Sequence, residues 1–174
     1  MEAILIGFMG SGKTTIGRLL AQQLETTHAD LDELIVARAG QAITTIFAQQ
    51  GEAEFRTLEQ ATLQAALKRP GILSTGGGTA TVAANVQTLR ASSTPVIWLA
   101  ASDETILARV AADTGRPLVN SLDTQALIDL KRSRAASYAQ AADLVVNTDA
   151  RTPAQICQEI TTWLLQPVQI LAQG

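Results

Sequence analysis

The chain has 174 residues, of which 47% are hydrophobic, 17% charged and 3% aromatic, and its formal net charge is −3. That is one domain's length, enough to bury roughly two thirds of the unfolded surface without disulfides or metals, and the composition is too apolar for a disordered or fibrous chain. The acidic balance and scarcity of rings argue against a nucleic-acid surface, no apolar run approaches the roughly 20 residues of a bilayer span, and a single cysteine allows no internal disulfide.

Met1-Glu2 lacks the basic start and long apolar core of a secretory signal, so a cytoplasmic location is expected. The first element is an apolar run, Ala3-Ile4-Leu5-Ile6, that reads as a buried strand. It leads into Gly7-Phe8-Met9-Gly10-Ser11-Gly12-Lys13-Thr14, which fits the phosphate-binding pattern G-x-x-x-x-G-K-[ST]. The glycines let successive N–H groups turn inward toward phosphate oxygens. Lys13 supplies a mobile cation for the β and γ phosphates, and the Thr14 hydroxyl can ligate Mg²⁺. A helix over 14–24 follows, with Ile16, Leu19, Leu20 and Leu24 on one face, so the phosphates also meet the positive end of a helix dipole. Gly10, Ser11, Gly12, Lys13, Thr14 and Thr15 are therefore the candidate nucleotide-binding residues.

A weaker strand is expected at Thr27–Asp30, followed by helices over 32–39 and 51–68. Alternation along the strand would leave Asp30 and Asp32 on one side, near the phosphate loop, one for Mg²⁺ and the other for a substrate hydroxyl. Capping of the next helix would explain the same carboxylates. Apolar strands then recur at Gly71–Ser74, Val96–Leu99 and Leu144–Val146, alternating with helices over 81–91, 103–112, 124–140 and 153–165. This alternation predicts a three-layer α/β fold, a parallel sheet of five strands with helices on both faces, in a single domain over 1–174. Thr152-Pro153 is a start signal for the last helix, and Pro167 suggests a loose tail after 165. The polar stretch 113–123, which holds Gly115 and Pro117, predicts a mobile lid.

Cys157 shares helical spacing with Ile156, Ile160 and Leu164, which predicts a core thiol, and His28 has no second His or Cys at ligand spacing. With no coiled-coil heptad or long apolar surface stripe, a monomer is expected.

Several further segments form an ordered set: Gly40-x-x-Ile43, Ile46-Phe47, Gly51-Glu52-x-x-Phe55-Arg56-x-x-Glu59, Gly76-Gly77-Gly78, Asn85, Gly115-Arg116-Pro117-Leu118, Arg134-x-x-x-Tyr138 and Ala142-Asp143. Together with the phosphate loop, this set resembles the shikimate kinase family over most of the chain. The resemblance implies a P-loop kinase fold with strand order 2-3-1-4-5 that transfers the γ-phosphoryl of ATP, with Mg²⁺, to the 3-hydroxyl of shikimate. It also implies that Asp32 holds the substrate diol and acts as base, that Arg56 and Arg134 grip the carboxylate, and that Gly77 and Gly78 offer backbone N–H contacts. Asp30 would hold Mg²⁺ through water beside Thr14. Lys13 and Arg116 would steady the transferred group, and Arg109 with Arg151 or its neighbours would line the adenine pocket.

The chemistry favours the same parts. An arginine fork pairs bidentately with a carboxylate, and phosphoryl transfer needs charge neutralisation and positioning more than covalent help. Blander explanations also exist. Arg56 shares its helix with Glu52, Glu59 and Lys68 and could belong to a solvated face, Arg134 has two neighbouring cations, and Arg109 could complement the end of its helix. The chain departs from the family pattern at His28, where an aromatic residue is common, and at Val36, where an acidic residue is usual. The strand residues Ile72-Leu73-Ser74-Thr75 lack the aspartate typical of many P-loop NTPases. Another small-molecule or nucleoside monophosphate kinase, or a catalytically silent nucleotide-binding module, would share the loop. A phosphate-bearing acceptor would want more cations and an aromatic or apolar base pocket, and the silent module has no need of a base.

Overall fold

The computed structural model describes residues 1–112 and 124–166. The expected lid with Arg116 and the tail from 167 lie outside the described residues. Five strands, β1 (Ala3–Ile6), β2 (His28–Asp30), β3 (Ile72–Ser74), β4 (Val96–Ala100) and β5 (Leu144–Asn147), pair in parallel in the order β2-β3-β1-β4-β5. The helices are α1 (Lys13–Gln23), α2 (Leu31–Ala39), α3 (Ile43–Ala66), α4 (Ala83–Ala91), α5 (Asp103–Ala112), α6 (Thr124–Ala141) and α7 (Pro153–Leu164).

Because strand side chains alternate, β1 divides its residues between two cores. Ile4 and Ile6 join Leu31, Ile46, Leu63, Leu89, Ile106 and Leu127 from α2 to α6, whereas Ala3 and Leu5 join Ile16, Leu20, Ile156, Cys157 and Ile160 from α1 and α7. The sheet is thus covered on both faces, giving the three expected layers. Leu5 and Leu20 are both fully buried, and truncating either to alanine should cost about 2–5 kcal/mol.

Local signals set the helix ends. Thr152 caps α7 by accepting from the Gln155 backbone N–H while the Gln155 side chain reaches back to the Thr152 N–H, and Pro153 opens the helix. Asp30 caps α2 by accepting from Asp32 N at 3.0 Å, and Gly40 ends it with φ of 67°.

Three expectations change. The long helix starts at Ile43 rather than at residue 51 and passes through Gly51, whose φ of 81° and ψ of 176° break the helical geometry between its two parts. Ile46 is fully buried and the Phe47 and Phe55 rings lie 4.6 Å apart across that break, so tertiary packing holds the added turns in place. A short 3₁₀ turn, Thr79–Thr81, precedes α4, which begins at Ala83 rather than residue 81. Finally, β2 ends at Asp30, so Asp32 stands on the first turn of α2 and strand alternation does not place it.

Parallel pairing puts the C-terminal ends of β1, β2 and β3 on one edge, where their exits carry the phosphate loop, Asp30 and the glycine triplet. Among the described residues, no helix is long and apolar enough to cross a membrane.

Candidate active site

The phosphate loop leaves β1 through glycines whose geometry a side chain would resist. Gly7, Gly10 and Gly12 have φ of 141°, 75° and 95°, and a Cβ on Gly7 would stand 2.6 Å from the Leu99 carbonyl oxygen. Gly12 is the N-cap of α1 and provides no side-chain cap, so the first N–H groups of the helix remain available to an anion. Lys13 folds over the loop and donates to the carbonyls of Gly7 and Phe8, both at 2.9 Å.

A cleft of 540 Å³ opens at this edge. Gly10, Ser11, Gly12, Lys13, Thr14 and Thr15 form one wall, Asp30, Asp32, Gly76 and Gly77 another, and Arg109 and Arg151 a third. Thr14 Oγ1 donates to Asp30 Oδ2 at 3.2 Å while Asp30 Oδ1 caps α2, so this carboxylate both begins a helix and meets the phosphate loop. Asp32 crowds the triplet, since a Cβ on Gly76 would come within 2.7 Å of Asp32 Oδ1. A side chain at that position would have to push the Asp32 carboxylate aside.

Thr14 and Asp30 supply two hard oxygens side by side, which suits Mg²⁺, an ion that takes few protein ligands and keeps several waters. Among the described residues, no group of three or more His, Cys, Asp or Glu could cage a metal.

Arg56, Gly78 and Arg134 stand outside that cleft but border its glycine wall. Arg56 packs on Gly78, where a Cβ would meet Nη2 at 3.1 Å and Nη1 at 3.2 Å. Arg134 Nη1 donates to the Gly77 carbonyl at 3.3 Å, and its guanidinium lies 5.6 Å from the centre of the Phe8 ring. Lys131 and Arg132, the neighbouring cations, both pair with Asp103 instead, at 2.6 and 2.8 Å. The Lys131 hydrogen bond holds the Asp103 carboxyl below its ordinary range. Arg109 donates to the Thr148 carbonyl at 2.9 Å and to the Gly10 carbonyl at 3.3 Å, tying the third wall to the phosphate loop. Arg151 is held by Glu159 at 2.5 Å and by the Gln155 carbonyl at 3.0 Å.

Behind these side chains stand groups that the sequence named only as motif positions, Glu59, Asn85 and Tyr138, and one it did not name, Thr79. Glu59 is buried and accepts from Arg56 Nη1 at 2.9 Å, Thr79 Oγ1 at 2.8 Å and Asn85 Nδ2 at 3.2 Å. It therefore locks an arginine and the turn after the glycine triplet onto one carboxylate. Burial alone would lower the Arg56 pKa, but the hydrogen bonds and charges of Glu59 and Glu52 outweigh it and raise the value, so Arg56 stays a cation. Tyr138 donates to the Gly77 carbonyl at 2.5 Å, and burial pushes its hydroxyl pKa upward, which keeps it a donor. The spacing Arg134-x-x-x-Tyr138 was the available signal, since residues four apart share a helix face.

His28 lies beneath α1. Its Nε2 is 2.9 Å from Ser74 Oγ, and burial lowers its pKa against the opposing charge of Asp30. Cys157 is fully buried, its thiol pushed up to about 11 by burial and placed 3.7 Å from the Ile16 carbonyl.

Comparison with known proteins shows the family and the fold. The family model described as shikimate kinase matches residues 9–165. The chain is 41% identical over 165 residues to the shikimate kinase of Limosilactobacillus fermentum, covering 94% of this chain and 95% of that one. It is 45% identical over 162 residues to the shikimate kinase of Pseudomonas paraeruginosa, covering 92% and 94%. The structure of shikimate kinase from Acinetobacter baumannii in complex with shikimate superimposes with a TM-score of 0.85 at 34% identity, covering 94% of this chain and 92% of that one.

Proposed function

The chain belongs to the shikimate kinase family, a family of phosphotransferases with an alcohol acceptor, and from that premise we propose that it transfers the γ-phosphoryl of ATP to the 3-hydroxyl of shikimate. The product, shikimate 3-phosphate, would feed the chorismate route to aromatic amino acids, and we place the enzyme in the cytoplasm as a monomer. The observation that carries this reading is one cleft bordered by both the phosphate loop and the Asp32 carboxylate. A base beside a triphosphate site serves a kinase and has no use in a module that only binds nucleotide.

In this reading the triphosphate lies along the uncapped N–H groups of α1, with Lys13 leaving its carbonyl partners to meet the β and γ phosphates. Thr14 and, through water, Asp30 would hold Mg²⁺, which neutralises phosphate charge when bound. Arg109 and Arg151 would flank the adenine. Arg116, which lies outside the described residues, would steady the transferred group.

On the acceptor side, Arg56 and Arg134 would bind the carboxylate, Gly77 and Gly78 would offer N–H groups, and Asp32 would orient the attacking hydroxyl and take its proton. Arg56 enters this role with its Nε and Nη2 on Glu52, whose side chain is 68% exposed, and its Nη1 on Glu59, whose side chain is 2% exposed. The exposed pair costs little to break, about 0–1 kcal/mol, whereas the buried one is expensive. A substrate carboxylate can therefore displace Glu52 while Glu59 keeps the guanidinium aimed.

A coupled ATPase assay offering shikimate, a neutral polyol and a nucleoside monophosphate tests the reading. Turnover with shikimate alone is expected, and preference for either other acceptor would refute it.

A further inference from the structure

One part-buried polar cluster, centred on the buried Ser74, is left unused by this mechanism. His28 on β2 sits 2.9 Å from Ser74 Oγ on β3, and the Ser74 hydroxyl donates to the Lys13 backbone carbonyl at 3.0 Å in the first turn of α1. A serine has one proton to give. With that proton on the Lys13 carbonyl, Ser74 Oγ accepts from His28, so Nε2 carries the imidazole N–H. The helix meets this pair through Gly17, where a Cβ would stand 2.6 Å from His28 Cδ2 and 2.7 Å from Ser74 Oγ. Helix α1 seats on the pair without displacing it because residue 17 has no side chain.

We propose that His28 is a positioning residue for the nucleotide. Through Ser74 it fixes the Lys13 carbonyl, and with it the first turn of α1, whose N–H groups and Lys13 side chain face the phosphates. The link joins three elements that converge on the cleft, the phosphate-loop helix, β3 ahead of the glycine triplet and β2 ahead of Asp30. An apolar ring in place of His28 would fill the space under Gly17 but donate nothing. The Ser74 hydroxyl would then lose its donor, and the Lys13 turn would lose part of its anchor. This inference rests on the cleft being the ATP site, and it concerns nucleotide affinity with the acceptor side left untouched.

The test measures the dissociation constant of MgATP by titration calorimetry, KM for each substrate, kcat and the melting temperature. It uses the wild type, His28→Phe, Ser74→Ala, their combination and His28→Gln. Loss of one hydrogen bond of ordinary strength corresponds to roughly a fivefold weakening. His28→Phe and Ser74→Ala should each raise the MgATP dissociation constant and KM about three- to tenfold, with kcat and shikimate KM within about twofold. The double variant should lose no more than either single one, because both cut the same relay. His28→Gln, whose Nε2 donates from a similar reach, should recover most of the affinity. Unchanged MgATP affinity in His28→Phe, or equal losses for both substrates that track a fall in melting temperature, would overturn the inference. A wild type that binds MgATP but leaves shikimate unphosphorylated would overturn the proposed function and still allow the affinity comparison to decide this one.

Discussion

Arg56 and Glu59, three residues apart on α3, form an ion pair of 2.9 Å in which the carboxylate is buried and the guanidinium reaches the glycine triplet. Glu59 also accepts from Thr79 and Asn85, so its removal would strip three donors of their partner. Glu59→Ala should lower stability by about 1–3 kcal/mol and weaken shikimate binding, whereas Glu52→Ala, at the exposed end of the same arginine, should change stability little. Thermal melts and shikimate KM for the two variants check this, and equal effects at both positions would contradict it.

Arg56→Lys keeps the charge and loses the planar fork. Shikimate KM should rise about tenfold or more while ATP KM changes little, since a hydrogen bond to a charged group contributes about 1.5–3 kcal/mol. Steady-state kinetics with each substrate varied in turn would show it. A shikimate analogue lacking the carboxylate should bind both proteins equally poorly.

Lys13→Ala should lower turnover about a hundredfold or more with the fold intact, because the ammonium rests on two loop carbonyls and packs in neither core. Near-normal turnover with an unchanged melting curve would remove the phosphate loop from the mechanism.

The two carboxylates of the cleft should separate by phenotype. Asp32→Asn should abolish turnover and spare ATP binding. Asp30→Asn should raise the Mg²⁺ concentration needed for half-maximal rate, because Asp30 is the residue bonded to Thr14. Magnesium titrations of both variants with identical profiles would contradict this division.

Cys157 gives a pH signature in stability. Burial raises its thiol from an ordinary value of 9.0 to about 11, so the unfolded chain ionises first. The unfolded state therefore binds fewer protons between those values, and stability should fall as pH rises from about 9 toward 11, a slope that Cys157→Ala reduces while the part due to Tyr138, whose hydroxyl pKa burial also raises, remains. The native thiol should also resist alkylation until the protein is denatured, and rapid labelling of folded protein would contradict its place in the core.

The phosphate loop was legible because its chemistry is local: glycines, Lys13 and Thr14 follow one strand in unbroken succession. Four strands were legible as apolar runs and β2 only from the carboxylates at its end, but their order came from the family resemblance, since spacing says nothing about which strands are neighbours. Glu59 was illegible because Glu52-x-x-x-Arg56-x-x-Glu59 has the spacing of a solvated helix face. Its burial comes from Thr79 and Asn85, which approach from another part of the chain. Residues 43–50 were missed for a related reason, as the polar run into Gly51 reads as a boundary while the fully buried Ile46 supports helix through it. The choice among Lys131, Arg132 and Arg134 likewise needed the distant Asp103, which engages the first two.

The most direct measurement is the identity of the phosphorylated product. The purified protein is incubated with ATP, Mg²⁺ and shikimate, and the product is assigned by phosphorus and proton NMR. One phosphate ester on the 3-hydroxyl is expected, formed by the wild type and lost in Asp32→Asn. Phosphate on a different hydroxyl, or ATP hydrolysis with shikimate unchanged, would contradict the account.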